Sequence, residues 1–176
     1  MLKKMNRKMT REEIEVILTN IRREIPEAVI RTQFIVGFPG ETEDMFKDII
    51  SFIKEQKFDR VGCFTYSPEE KTAGFKMEDQ VDEKTKARRH NELMRTQKVI
   101  SEKKHRAMIG KTVSVLVEGF SEETDLLLQG RTSQQAPEID GVTLINKGTA
   151  NVGDIVSVLI TDSTDYDLVG EISNNP

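Results

Sequence analysis

The sequence predicts two units of different class: an α/β segment over residues 1–108 and a small five-stranded, OB-like all-β barrel over residues 109–176. Three observations carry that division. Hydrophobic residues follow helical spacing and short β-branched runs as far as Gly110, then change to alternation. Residues 1–108 hold 23 Lys+Arg against 19 Asp+Glu, a charge of +4, whereas residues 109–176 hold 3 against 11, a charge of −8. Glycine, proline and serine fall at short intervals in the second segment, as turns between short strands require.

The first helix starts at a capping box, Thr10-Arg11-Glu12-Glu13, in which hydroxyl and carboxylate each satisfy an orphan amide. Ile14, Ile17, Leu18, Ile21 and Ile25 follow with helical spacing, and Pro26 stops the helix. Ala28 to Val36 is β-branched and reads as a buried strand. After the turn Gly37-Phe38-Pro39-Gly40, Thr42 caps a second helix with Glu43 and Asp44 in its first turn and Phe46, Ile49, Ile50 and Ile53 on its apolar face. Phe58 to Tyr66 is a second strand, and strand–helix–strand at this length makes the pair parallel with a right-handed crossover. Residues 67–81 are a polar loop. A long charged helix from Asp82 to Met108 carries a sparse stripe of Ala87, Leu93, Met94, Val99 and Ile100, with Gly110 closing it.

In the barrel segment, Val113, Val115 and Val117 alternate within a strand over 112–118. Further strands are expected at 126–132, 142–146, 155–161 and 166–172, with Gly119, Ser121, Pro137, Gly141, Gly148 and Gly153 in the connections.

Several classes are excluded at once. At 36% hydrophobic the chain can bury a core, and no apolar run reaches the roughly 18 residues of a membrane helix. The N-terminal Met1 to Arg7 is basic but lacks the apolar stretch of a secretory signal. One cysteine, Cys63, allows neither an intrachain disulfide framework nor a cysteine-rich metal site, and a reducing, cytoplasmic setting is expected. It lies in an apolar strand without an activating base and reads as structural. His90 and His105 are fifteen positions apart on a helix and make no i,i+4 metal pair. The Lys/Arg-rich helix, with Lys84, Lys86, Arg88, Arg89, Arg95 and Lys98 among Glu83, Glu92 and Glu102, reads as a solvated face, with a phosphate-binding stripe as the alternative.

The segment that points to a ligand runs from Thr32 to Thr42. A strand ends in a turn with two glycines at a helix N-terminus, where backbone amides approach a ligand closely and carry partial positive charge. Phe64-Thr65-Tyr66-Ser67-Pro68 ends the second strand on the same edge, where ligands of α/β sheets sit, and its aromatics and hydroxyls suit a flat ring. An ordinary βα turn without ligand is the alternative. In the barrel, Glu138 and Asp140 of Ala136-Pro137-Glu138-Ile139-Asp140-Gly141 are candidates for a cationic partner, against a plain Asp-Gly turn.

Met5-Asn6-Arg7, Arg31-Thr32 through Ile35-Val36-Gly37-Phe38-Pro39-Gly40-Glu41-Thr42, and Phe58-Asp59-Arg60-Val61-Gly62 through Tyr66-Ser67-Pro68-Glu69-Glu70 together resemble the radical SAM methylthiotransferases. From Ile109 onward the chain is similar to their C-terminal TRAM domain. Gly130-Arg131-Thr132, Ala136 to Gly141 and Tyr166-Asp167-Leu168-Val169-Gly170-Glu171 resemble the branch that modifies a ribosomal protein. The Gly-Phe-Pro-Gly-Glu stretch is shared with the tRNA-modifying branch. Gln33 stands where the family usually has a small or acidic polar residue, and Lys71 where a glycine is usual.

The resemblance implies the C-terminal part of a radical SAM partial (β/α) barrel over 1–108, then a TRAM domain over 109–176. It implies S-adenosyl-L-methionine (SAM) and 4Fe–4S clusters at the strand ends of the full-length enzyme. The SAM radical takes a hydrogen from the β-carbon of an aspartate in small-subunit ribosomal protein twelve, and a methylthio group is installed there. Matched by motif, Gly37, Phe38, Pro39 and Gly40 line the SAM pocket, and Phe64, Tyr66 and Ser67 lie near its adenine end. The family's cluster cysteines have no counterpart here, so no stable cofactor binding and no activity is expected of this chain alone. The acidic barrel is expected to dock a ribosomal protein or ribosome through Glu138 and Asp140, with weak or no RNA binding and no membrane partner. A tRNA-modifying relative, an RNA-binding TRAM module and a non-catalytic α/β scaffold are the competing readings.

Overall fold

A computed structural model describes residues 1–173. Its packing separates Met1–Ile100 from the chain that begins at Ser101.

In the first unit, α1 (Arg11–Glu24) begins at Thr10, whose hydroxyl accepts the Glu13 N–H while the Glu13 carboxylate accepts the Thr10 N–H at 2.7 Å. Leu18 is buried and Ile14 packs beside it, but Ile17 and Ile25 remain exposed, so the buried stripe is narrower than the sequence pattern. Strands β1 (Arg31–Val36) and β2 (Arg60–Thr65) pair in parallel from Arg31–Arg60 to Val36–Thr65, joined through α2 (Glu43–Gln56). The first strand starts later than Ala28. Ile30 donates its N–H to Asp59 Oδ2 at 2.8 Å and accepts the Asp59 N–H at 3.1 Å, a side-chain clasp in place of ladder pairing. The core gathers Leu18, Val36, Phe46, Ile50, Ile53, Phe58, Cys63 and Leu93.

Helix α3 (Glu83–Arg106) departs from its expected face. Ala87 and Val99 are exposed, whereas Lys86, Arg89, Leu93 and Gln97 are buried at three- and four-residue spacing. The inward stripe is therefore mostly polar, and Lys86 and Arg89 do not belong to a solvated face. Long aliphatic stems fill the space, the Arg89 and Gln97 heads hydrogen-bond to other segments, and the Lys86 head pairs with Glu83 of its own helix. Gln97 donates from Nε2 to the Phe58 carbonyl at 3.0 Å. Lys71 in the polar loop has φ +70°, the left-handed conformation that a glycine adopts without penalty.

In the second unit, β3 (Thr112–Ser121), β4 (Thr124–Thr132), β5 (Thr143–Lys147), β6 (Ile155–Ser163) and β7 (Leu168–Ile172) close into a barrel of order β3-β4-β5-β7-β6. Every pair is antiparallel except β5 with β7, and β6 returns to β3. That is the OB-type arrangement. Val115, Val117, Ile145, Val158, Ile160 and Leu168 fill it. Gly119 and Ser121 lie inside β3 at irregularities of register rather than in a connection, and the last strand starts at Leu168 rather than Tyr166. Helix α3 ends at Arg106, and Gly110 follows it at φ +85° and donates its N–H to the Ile160 carbonyl at 2.8 Å.

Candidate functional site

The turn after β1 and the end of β2 lie side by side because Tyr66 donates its N–H to the Val36 carbonyl at 2.8 Å. Gly37 and Gly40 take φ +76° and +77°, so chain reversal here depends on residues without Cβ. Phe38 and Pro39 are buried, and the Phe38 ring meets the Tyr66 ring edge-on at 5.0 Å. Phe64 is 53% exposed on the opposite sheet face from Cys63, while Ser67 is exposed beyond the strand. A recess of about 350 Å³ is lined by Cys63, Phe64, Thr65, Ala87, His90 and Asn91.

Glu41 fixes the turn. Its carboxylate accepts the Gly37 N–H at 2.9 Å and the Arg89 guanidinium at 2.8 Å, and Arg89 also donates to the Glu41 carbonyl at 3.1 Å. Glu43 receives Arg88 at 2.5 Å and Arg89 at 3.3 Å, and the hydrogen bond from Arg88 holds its carboxyl below the usual range. The cradle beneath the glycines is filled by the chain itself. A Cβ on Gly37 would collide with Lys86 Cγ, and one on Gly40 would come within 2.6 Å of Lys4 Nζ. The buried Tyr66 hydroxyl lies against Gly74 without a hydrogen-bond partner. Cys63 sits in the core, and desolvation followed by the nearby Glu41 charge pushes its thiol up to about 11.

In the barrel, the loop before β5 is tied by Gln135. Its Oε1 accepts the Thr132 N–H and the Thr143 hydroxyl at 2.9 Å each, and Nε2 donates to the Gly141 carbonyl at 2.8 Å. Asp140 accepts the Ala136 N–H at 2.8 Å and so holds its own loop together. Glu138 is exposed at φ +62°, with Ile139 exposed beside it.

The TRAM domain family matches residues 109–172. A "Ribosomal protein uS12 methylthiotransferase RimO" of Bdellovibrio bacteriovorus is 66% identical over 97% of this chain and 37% of its own length. The protein of the same description from Citrifermentans bemidjiense is 53% identical over 97% of this chain and 38% of itself. That from Anaeromyxobacter sp. strain K is 51% identical over 89% and 33%. The chain corresponds to the C-terminal part of the RimO family. It spans 33% to 38% of the length of these relatives.

Within this RimO-type segment, the structure brings Gly37, Phe38, Pro39, Gly40 and Tyr66 to one strand end, with Phe64 and Ser67 exposed at its rim. Phe64 is exposed beside the recess. The donor set does not fit an iron–sulfur cluster: the one thiol is buried, and no group of three His, Cys, Asp or Glu suited to a metal exists among the described residues. Sequence reasoning missed Lys86 and Arg89 as turn-holding residues, because their charge reads as solvent exposure. The signal was there in their spacing with Leu93. No helix among the described residues is long and apolar enough to cross a membrane.

Proposed function

We propose that this chain forms the C-terminal part of a methylthiotransferase that modifies an aspartate β-carbon of ribosomal protein uS12. The observation that carries the reading is 66% identity over 97% of the chain with a RimO protein. In the complete enzyme SAM and 4Fe–4S clusters supply the radical chemistry. This chain's residues supply one wall: Gly37, Phe38, Pro39 and Gly40 shape it, Phe64 and Ser67 face the ligand, and the Phe38–Tyr66 contact at 5.0 Å braces it from behind. With Cys63 alone as thiol, the chain by itself binds no cluster and is inactive.

The TRAM barrel docks the protein substrate. Its 11 acidic against 3 basic residues repel a phosphate backbone and steer a cationic protein, with Glu138 as an exposed contact. Asp140 shapes the loop that presents Glu138.

The test is a chimera joining this chain to the N-terminal part of the Bdellovibrio bacteriovorus relative, reconstituted anaerobically with iron and sulfide. Mass spectrometry of uS12 and of tRNA after reaction with SAM should show methylthio addition on uS12 alone. Modification of tRNA with untouched uS12 overturns the assignment in favour of the tRNA-modifying reading. Glu138→Lys should slow association with uS12, and salt should do likewise because charges are screened beyond about 8 Å at physiological ionic strength.

A further inference from the structure

We propose that Lys86 is a positioning residue that sets the shape of the Gly37–Gly40 turn and the orientation of Tyr66 for the adenosyl ligand; the inference rests on the SAM-wall reading above. Lys86 is 2% exposed, buried as deeply as the apolar core, although lysine stands on a helix otherwise rich in solvated charge. Its stem occupies the volume that a side chain at position 37 would need: Cδ and Cβ lie 3.2 and 3.3 Å from the Cβ position of Gly37, and Cγ lies closer still. Gly37 has φ +76°, so glycine serves both the backbone conformation and the approach of this stem.

The head of the same side chain reaches the second strand end. Lys86 Nζ donates to Glu83 Oε1 at 2.7 Å and stands 5.6 Å from the centroid of the Tyr66 ring. Tyr66 in turn meets Phe38 of the turn. One side chain from α3 therefore touches the backbone of the first strand's turn and the aromatic face of the second. A leucine would fill the volume under Gly37 without reaching the ring. A cation over an aromatic face gains energy when desolvated, and burial provides that here. The charge is compensated by Glu83, whose own side chain is largely in water, so the pair avoids two buried desolvation penalties.

The arrangement makes two separable demands: stem volume at Gly37 and positive charge at Tyr66. Lys86→Ala removes both, and Lys86→Met keeps most of the stem while removing the charge. In chemical denaturation of the 176-residue chain, Gly37→Ala should lower the midpoint, and Lys86→Ala should relieve part of that loss in the double variant. Additive losses overturn the contact. In the chimera, equilibrium binding of SAM, measured without turnover, should weaken about tenfold for Lys86→Ala and less for Lys86→Met. Lys86→Arg should recover binding if charge at Tyr66 is what the ligand site needs.

Phe64→Ala separates the two layers of the argument, because Phe64 is exposed and its loss does not disturb the core. Weakened SAM binding in Phe64→Ala with wild-type affinity in both Lys86→Ala and Lys86→Met overturns the role of Lys86 and leaves the wall in place. Wild-type affinity in all three overturns the wall and the positioning role together.

Discussion

The Glu41 carboxylate and the Arg89 guanidinium meet at 2.8 Å with their side chains 1% and 5% exposed. They are 48 residues apart in sequence, one just beyond the glycine turn and the other on α3. Because Glu41 also accepts the Gly37 N–H, the ion pair fixes backbone as well as side chains. In a dry site loss of Arg89 leaves the Glu41 charge buried with only the Gly37 N–H, whereas loss of Glu41 leaves Arg89 its longer contact with Glu43 at 3.3 Å.

Arg89→Ala should therefore cost about 3–5 kcal/mol, and Glu41→Ala less, because Arg89 keeps Glu43. Denaturant unfolding measures this, and the double variant should lose much less than the sum of the two. Independent, additive effects would show that the pair is not a coupled unit.

The Cys63 thiol gives a pH signature of opposite sign from an ordinary surface acid. Its folded value is raised from 9.0 to about 11, so the folded chain holds the proton more tightly than the unfolded chain. Its contribution is complete below pH 9.0 and is lost as pH rises towards about 11. Comparing wild type with Cys63→Ala across that window should show a steeper alkaline loss in wild type. Native alkylation by iodoacetamide at pH 8 should be slow and should become fast on unfolding.

Lys71 adopts φ +70° in an exposed loop, where a side chain gains nothing from packing. Relief of the left-handed strain outweighs the extra freedom that glycine gives the unfolded chain. Lys71→Gly should stabilise the chain by about 0.5 kcal/mol, read as an upward shift of the denaturation midpoint. Destabilisation would mean that the loop's stability rests on contacts of the lysine stem.

Gln135→Leu keeps volume but orphans the Thr132 N–H, the Thr143 hydroxyl and the Gly141 carbonyl. Each buried group left without a partner costs about 1–3 kcal/mol. Hydrogen exchange at the Thr132 amide should accelerate strongly, whereas Glu138→Gln on the same loop should leave it unchanged.

Sequence alone determined the features that local chemistry writes. The Thr10–Glu13 capping box, the parallel pair around α2 and the alternation that begins at Thr112 depend on caps and periodicity within a few residues, and each stands in the structure. The family motif around Gly37–Gly40 was likewise legible, and so was the family to which its relatives belong. Tertiary structure decided what occupies the space around that motif. Lys86 and Arg89 read as surface charge because composition cannot show a carboxylate arriving from a distant segment or a glycine opening room for an aliphatic stem. Asp140 read as an open acidic contact, yet its oxygen is used by the Ala136 amide of its own loop. In both places the residue type fixes the available chemistry, and burial with its partners fixes which part of it is used.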